Sequence, residues 1–308
     1  MIDTVSPAVV RPFPRLPDGL PQPGRCLVMG ILNVTPDSFS DGGLYSDPGD
    51  AVRHGLRMAA DGADIVDVGG ESTRPGAEPV GVTQQLARVV PVLRELAGAG
   101  VPVSVDTMHA EVAHAAVEAG ACLANDVSGG LADSEMAATV AAAGVPYVVT
   151  HWRAPSRGME RHAIYGDVVG EVTAELLDRV EVLTAAGIDS SRLLLDPGLG
   201  FAKHAHHDWQ LLARLPTVRS TGFPVLVGAS RKRFIGAALS GWSDSPPAPG
   251  GRDAATAAVS ALAAAAGAVC VRVHDVRSSL HAVCMAAAWG GAGLVLPSSA
   301  EAADALAR

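Results

Sequence analysis

The sequence predicts a single-domain α/β protein built as a (β/α)8 TIM barrel, and three observations predict it. Eight short runs rich in Val, Ile, Leu and Cys recur along the chain. They are nearly continuous in apolar residues rather than alternating, as strands covered on both faces are. Segments of helical spacing, rich in good helix formers, separate them. The 308 residues hold eight such units, and parallel strands joined by right-handed helical crossovers favour ring closure at that number. An open doubly wound sheet is the alternative, since closure leaves no mark on a sequence.

In order, an N-terminal arm (residues 1–25), proline-containing and expected to be loose, precedes the first strand at 26–34. A helix at 50–60, a strand at 63–68, a helix at 83–97 and a strand at 101–106 follow. Next come a helix at 110–119, a strand at 121–126 and a fifth strand at 146–151. A helix at 168–186 leads to strands at 192–196 and 224–228, and a helix at 254–266 precedes the last strand at 268–275. The Pro/Gly/Ser-rich stretch 241–251 reads as a mobile surface loop rather than a domain boundary. The barrel then spans 26–292 and a short tail covers 293–308.

Composition narrows the class. Hydrophobic residues make up 48% and charged residues 18%, yet no apolar run reaches the roughly 18 residues that a membrane helix needs. The first 25 residues lack the basic start, apolar centre and small-residue cleavage site of a secretory signal. Cys26, Cys122, Cys270 and Cys284 lie in apolar stretches without metal-binding spacing, so buried, reduced thiols and a cytoplasmic location are expected. A formal charge of −9 disfavours nucleic acid as a partner, because binding there depends on basic residues that displace counterions. An anionic ligand would need a local basic cluster.

Polar residues gather where a barrel places its active-site mouth, at the C-terminal ends of the strands. The ends carry Asn33, Asp67 with Glu71, Asp106, Asn125 with Asp126, His151, Asp196, Ser230 with Lys232, and Arg272 with His274. Asp and Asn at a strand end often only cap a helix or shape a turn. Capping explains neither Lys232 nor the Arg272/His274 pair, which alternation puts on one side of a strand.

Two loops add glycine, hydroxyls and charge. The stretch from Asn33 to Gly43 is long and hydroxyl-rich, as a lid or gripping loop is, and Gly69 to Gly76 offers backbone N–H groups with Thr73 and Arg74. Arg74, Lys232, Arg272 and His274 come from distant strand ends that closure would unite into a positive pocket suited to a diphosphate.

Met29-Gly-Ile-Leu-Asn-Val-Thr-Pro-Asp-Ser-Phe-Ser-Asp-Gly-Gly and Asp64-Ile-Val-Asp-Val-Gly-Gly-Glu-Ser-Thr-Arg-Pro-Gly-Ala closely resemble the two signature segments of the dihydropteroate synthase family. The likeness continues through Ser104-Val-Asp-Thr, Asn125-Asp-Val-Ser-Gly, Asp196-Pro-Gly-Leu-Gly-Phe-Ala-Lys, Gly228-Ala-Ser-Arg-Lys-Arg-Phe and Arg272-Val-His-Asp-Val. His151-Trp-Arg and the alanine content look actinobacterial. The resemblance implies a pterin-binding barrel that condenses 6-hydroxymethyl-7,8-dihydropterin diphosphate with p-aminobenzoate, giving 7,8-dihydropteroate and pyrophosphate in folate synthesis. It also implies Mg²⁺, a homodimer and sensitivity to sulfonamides.

Carried over residue by residue, the resemblance implies that Asp196, Asn125, Asp106 and Lys232 meet the pterin, with Asp106 and Lys232 closest to the chemistry. It implies that Arg272, His274 and the Thr73 region hold the diphosphate and that Asn33 lies at Mg²⁺. Thr73, Arg74, Pro75, Phe201, Ser230 and Arg231 resemble the p-aminobenzoate pocket. Two positions depart from the family pattern: Thr150 stands where Met is usual and Asp208 where Asn is usual. The His204-Ala-His-His stretch has no zinc-like spacing and reads as a solvated helix start. Two alternatives stay open here. One is a pterin-barrel methyltransferase, which has no use for the Ser-Thr-Arg-Pro loop or the Arg-x-His pair, and the other is a non-catalytic paralogue that binds without turnover.

Overall fold

Each apolar run becomes a strand in a computed structural model, which describes residues 16–35, 48–71, 80–155, 158–242 and 246–290. The strands are β1 Leu27–Asn33, β2 Ile65–Gly69, β3 Val103–Asp106, β4 Leu123–Asp126, β5 Tyr147–Thr150, β6 Leu193–Asp196, β7 Leu226–Val227 and β8 Cys270–Val273. All pair in parallel, in the order β6-β5-β4-β3-β2-β1-β8-β7. The two ends of that order meet through one parallel bridge, Leu195 opposite Val225, with Leu195 N donating to Pro224 O at 2.9 Å. The sheet is therefore a nearly closed barrel, and the open alternative does not apply.

Helices fall where the periodicity places them, at Pro48–Ala60, Val82–Gly98, Ala110–Glu118, Val168–Ala185 and Asp253–Ala265. Local chemistry sets their starts. The Asp167 carboxylate accepts from Val169 N at 3.3 Å and, before a further helix at Val276–Trp289, the Asp275 carboxylate accepts from Ser278 N at 3.2 Å, satisfying amides that a helix N-terminus leaves without partners.

Period-2 alternation sorts the strand residues into two cores. Val28, Leu32, Val66, Val68, Val105, Val149, Leu195 and Val271 face outward and pack against the helices. Leu27, Met29, Ile65, Leu123, Val148, Leu194, Leu226 and Cys270 fill the barrel's interior. Burying one such side chain contributes about 1.5–3 kcal/mol. Asp126 belongs to the outer set: its carboxylate is fully buried, takes Ser128, Gly130 N and Tyr147 OH, and plays a structural part away from the mouth.

The expected looseness of the N-terminal arm does not hold for its described part. Leu16 and Leu20 pack into the lower interior against Leu27 and its neighbours, because the barrel's N-terminal opening exposes apolar surface that something must cover. Arg25 then ties the arm to the rim through a two-point contact with Asp64, at 2.7 and 3.0 Å. The stretch 241–251 is also more anchored than expected in its described part. Arg252 donates to Pro247 O and Arg231 O, both at 2.9 Å. The free thiols of Cys26 and Cys270 are buried, and burial pushes both well above their ordinary range.

Candidate active site

The alternation that fills the barrel also builds its mouth. Two residues beyond the interior positions Ile65, Leu123, Leu194 and Cys270 come Asp67, Asn125, Asp196 and Arg272. At about 3.3 Å per residue they sit roughly one layer higher on the same face. A cavity of about 530 Å³ opens above them, and Asn33, Asn125, Asp196, Lys232, Arg272 and His274 all line it. The acidic and basic groups that sequence scatters along the chain thus share one space, joined there by Phe201, Ser230 and Arg231.

Asp196 and Lys232 form one wall. Asp196 Oδ1 accepts from Gly198 N at 2.7 Å. Gly198 has φ +67, and a side chain there would meet His151 O at 2.3 Å, so only glycine makes this turn. A Cβ at Gly228 would lie 3.5 Å from Asp196 Oδ2 and 3.9 Å from Lys232 Nζ, so its absence leaves room between the two charges. Lys232 Nζ donates to Leu199 O and lies 4.8 Å from the Phe201 ring centroid. Burial pushes the Asp196 carboxyl up and the Lys232 ammonium down, while each opposes the shift of the other.

A second cluster forms the floor. Arg272 Nε donates to Asp67 Oδ2 and its Nη2 to Asp106 Oδ2, both at 2.6 Å. Asn125 Nδ2 donates to Asp67 Oδ2 at 2.9 Å, and Ser104 Oγ to Asp67 Oδ1. Burial raises the Asp106 carboxyl, Arg272 pulls it back, and Asp67, Asp126 and Glu71 raise it further. Burial alone would lower Arg272, but Asp67 and Asp106 overcome it and keep the guanidinium charged.

Where the adjacent strands β7 and β8 end, Ser230 Oγ lies 2.9 Å from His274 Nδ1 and accepts from His274 N at 3.1 Å. Arg231 adopts φ +58, unusual for a residue with a side chain, and its Nε and Nη2 grip Asp253 at 2.7 Å each. Its N–H donates to Thr256 Oγ1 at 3.2 Å and its carbonyl accepts from Arg252, which over-determines that backbone.

The segment after β6 is clamped from below by groups that sequence reasoning gave no role. Lys203 Nζ is buried and donates to Phe201 O at 3.0 Å and His151 Nδ1 at 2.9 Å. A lysine can only donate, so His151 carries its proton on Nε2 and donates to Glu175 Oε2 at 2.9 Å. Burial, then Lys203, pulls His151 down to about 4; His151 and Arg153 overcome burial and hold Glu175 at about 2. Burial also pulls Lys203 down, against Asp208 and Asp196. Asp208 Oδ1 accepts from Gly200 N at 2.7 Å, and Tyr165 OH donates to Ala202 O at 3.1 Å.

Of the residues that the sequence singles out, Thr73, Arg74 and Pro75 lie outside the described residues, as does most of the long loop after Asn33. The base of the second loop is held by Glu71, which accepts from Val80 N at 3.1 Å and Gln85 Nε2 at 3.0 Å. Thr150 lines the cavity. His207 is buried and meets Tyr165 edge-on at 4.9 Å, so the expected solvated histidine group is only partly solvated. Period-2 counting back from Asn125 and Asp196 finds the interior layer and so finds Asp67. No such count finds Glu175, which comes half-buried from the helix Val168–Ala185 rather than from a strand.

Residues 29–274 match the family described as pterin binding enzymes. The chain is 55% identical over 267 residues to a dihydropteroate synthase of Mycobacterium leprae, covering 86% of this chain and 94% of that protein. Among solved structures, it resembles a Xanthomonas albilineans dihydropteroate synthase in complex with 7,8-dihydropteroate, with 44% identity, a TM-score of 0.76 and coverage of 88% of this chain and 95% of that one. It also resembles a Yersinia pestis dihydropteroate synthase in complex with a sulfonamide drug, with 39% identity, a TM-score of 0.83 and coverage of 90% and 99%. A matched segment that reaches from β1 to the His274 rim, and relatives of this identity over nearly their whole length, place the chain in the dihydropteroate synthase family of pterin binding enzymes.

Proposed function

We propose that this protein is a dihydropteroate synthase, a transferase that joins the methylene carbon of 6-hydroxymethyl-7,8-dihydropterin diphosphate to the amine of p-aminobenzoate in folate synthesis. The observation that carries the reading is the one cavity that Asp196, Asn125 and Lys232 share with Arg272 and His274. A pterin edge presents parallel N–H donors, which a buried carboxylate meets best, and Asp196 offers Oδ2 together with the lone pair of Oδ1 that Gly198 N leaves. Lys232 supplies a donor to the ring's oxygen or neighbouring nitrogen, and Asn125 a further polar contact. A methyl transfer needs no diphosphate grip, so Arg272 beside His274 favours the synthase over the methyltransferase.

The reaction breaks the C–O bond to diphosphate and forms a C–N bond. The electron pair of the broken bond leaves with pyrophosphate, and the attacking amine then loses one proton. Positive charge grows on the pterin methylene, which the Asp106 carboxylate, held on Arg272 beneath the lining residues, stabilises electrostatically. Negative charge grows on the leaving group, which Arg272 and His274 receive. An aromatic amine is already uncharged near neutral pH, so no strong base is required. Phe201 packs on the aminobenzoate ring, while Ser230, Arg231 and the Thr73, Arg74 and Pro75 loop hold its carboxylate. Sulfonamides compete at that end.

Mg²⁺ fits the donor set at β1. Asn33 offers a hard carbonyl oxygen beside the diphosphate grip, and among the described residues no group of three or more His, Cys, Asp or Glu forms a cage of its own. The bound ion would neutralise charge on the diphosphate oxygens. The protein functions as a cytoplasmic homodimer. Exposed Leu262, Met285 and Trp289 on the adjacent helices Asp253–Ala265 and Val276–Trp289 support the pairing. No helix of the described residues is long and apolar enough to cross a membrane.

The test is release of pyrophosphate from the pterin diphosphate in the presence of p-aminobenzoate and Mg²⁺, alongside Asp196→Ala. The wild-type protein turns over; the variant loses pterin affinity by about 100-fold or more, because two charge-assisted hydrogen bonds go at once. No release above background from the folded wild-type protein would favour a silent paralogue.

A further inference from the structure

Asp67 takes no part in the reading above, yet it holds the floor of the cavity together. Its side chain is entirely buried and is not part of the cavity lining, so it meets substrate through other residues only. Its two oxygens accept from three strands: Ser104 Oγ on β3, Asn125 Nδ2 on β4 at 2.9 Å, and Arg272 Nε on β8 at 2.6 Å. Parallel pairing brings these strands together, with Ile31 beside Asp67 in the β1–β2 register and Asp67 beside Ser104 in the β2–β3 register.

A carboxylate only accepts, so the Asn125 nitrogen must face Asp67. The amide then turns its Oδ1 toward the cavity. The same carboxylate, with Asp106, fixes the plane of Arg272 by taking Nε and Nη2. Among the described residues Arg272 Nη1 has no protein acceptor, which leaves it for an anion.

We propose that Asp67 is a positioning residue that sets Asn125 as a hydrogen-bond acceptor toward the heterocycle and aims Arg272 at the diphosphate, and so selects for a ring edge that donates at Asn125. The inference rests on the pterin reading of the site. Without Asp67 the Asn125 amide could turn over and offer a donor, leaving a pterin N–H facing another N–H. A buried donor without a partner loses affinity by far more than a surface one.

The test exchanges the partners. Asp67→Asn and Asn125→Asp each break the donor-to-carboxylate pairing, and the two substitutions together restore it with the polarity of the pair reversed but an acceptor still facing the cavity. The probe is the free alcohol 6-hydroxymethyl-7,8-dihydropterin, titrated calorimetrically, with melting temperature and kcat and KM recorded for each protein. Each single variant should lose about tenfold or more in pterin affinity, and the exchanged pair should recover to within a few-fold of wild type. Should a single variant fail to fold, recovery in the exchanged pair alone supports the proposal. Lower melting temperatures with unchanged pterin affinity in the folded proteins would leave Asp67 a merely structural residue and overturn it. So would a folded exchanged pair that binds no better than the single variants. If the wild-type protein does not bind the pterin alcohol, the functional reading itself falls and takes this one with it.

Discussion

The lower interior layer of the barrel, with Ile65, Leu123, Leu194 and Cys270, and the layer two residues further along the same strands, with Asp67, Asn125, Asp196 and Arg272, share one backbone and differ in what holds them. The lower layer is held by packing, which is non-directional and depends on volume. The upper layer is held by charge-assisted hydrogen bonds at 2.6 to 2.9 Å, each of which requires its partner. About 6.6 Å along a strand therefore separates a region that tolerates exchange among hydrophobes from one in which a single deletion strands a buried charge. Function sits in the second region because only fixed charges discriminate a polar ligand, and the first region supplies the rigidity that fixes them.

The upper layer is most vulnerable at Arg272. Arg272→Ala leaves Asp67 and Asp106 buried without their counter-charge, so denaturation in urea at neutral pH should show a loss of about 3–5 kcal/mol. Affinity for the pterin diphosphate should fall far more than affinity for the free alcohol. Equal losses for the two ligands would count against a phosphate role, and a stability loss under about 1 kcal/mol would mean that protonation of Asp106, already raised by burial, relieves the site.

Acid strains His151, a buried polar group outside the barrel's interior. Its folded value is about 4 against an ordinary 6.5, so between those values the unfolded chain binds a proton that the folded chain refuses. This contribution to stability is complete above pH 6.5 and falls away as pH drops toward 4, by about 3 kcal/mol across the window. Urea midpoints that are flat from pH 7 to 4.5 in wild type and in His151→Gln alike would contradict it.

Smaller effects belong to the apolar end. Leu16→Ala should remove about 2 kcal/mol by opening the plug under the barrel, with kcat and KM unchanged. Leu194→Met, which conserves volume one layer below Asp196, should cost under about 1.5 kcal/mol and leave pterin affinity intact. Altered pterin affinity in either variant would show that the two layers are not independent.

Much of this was legible before any coordinates. The eight strands fall within a residue or two of their expected bounds, because parallel strands covered on both faces must be apolar throughout. Asp196, Lys232, Arg272 and His274 could be picked out because charge at the end of an apolar strand has few structural uses. Their shared cavity followed only if the sheet closed. Asp67 could be seen as polar but not as the partner of Arg272, 205 positions away. Glu175 could not be distinguished from any solvated helix glutamate until His151 and Arg153 were found against it.

The properties that follow from the chain alone are local and periodic: which segments extend, which coil, which face is apolar, and where polar groups interrupt the pattern. These follow from alternation and helical spacing, which act over a few residues. Folding in three dimensions settles which charges neutralise one another, which way the Asn125 amide turns and that the N-terminal arm plugs the barrel. Pairing across a closed ring depends on distances in space, and a linear pattern does not encode them.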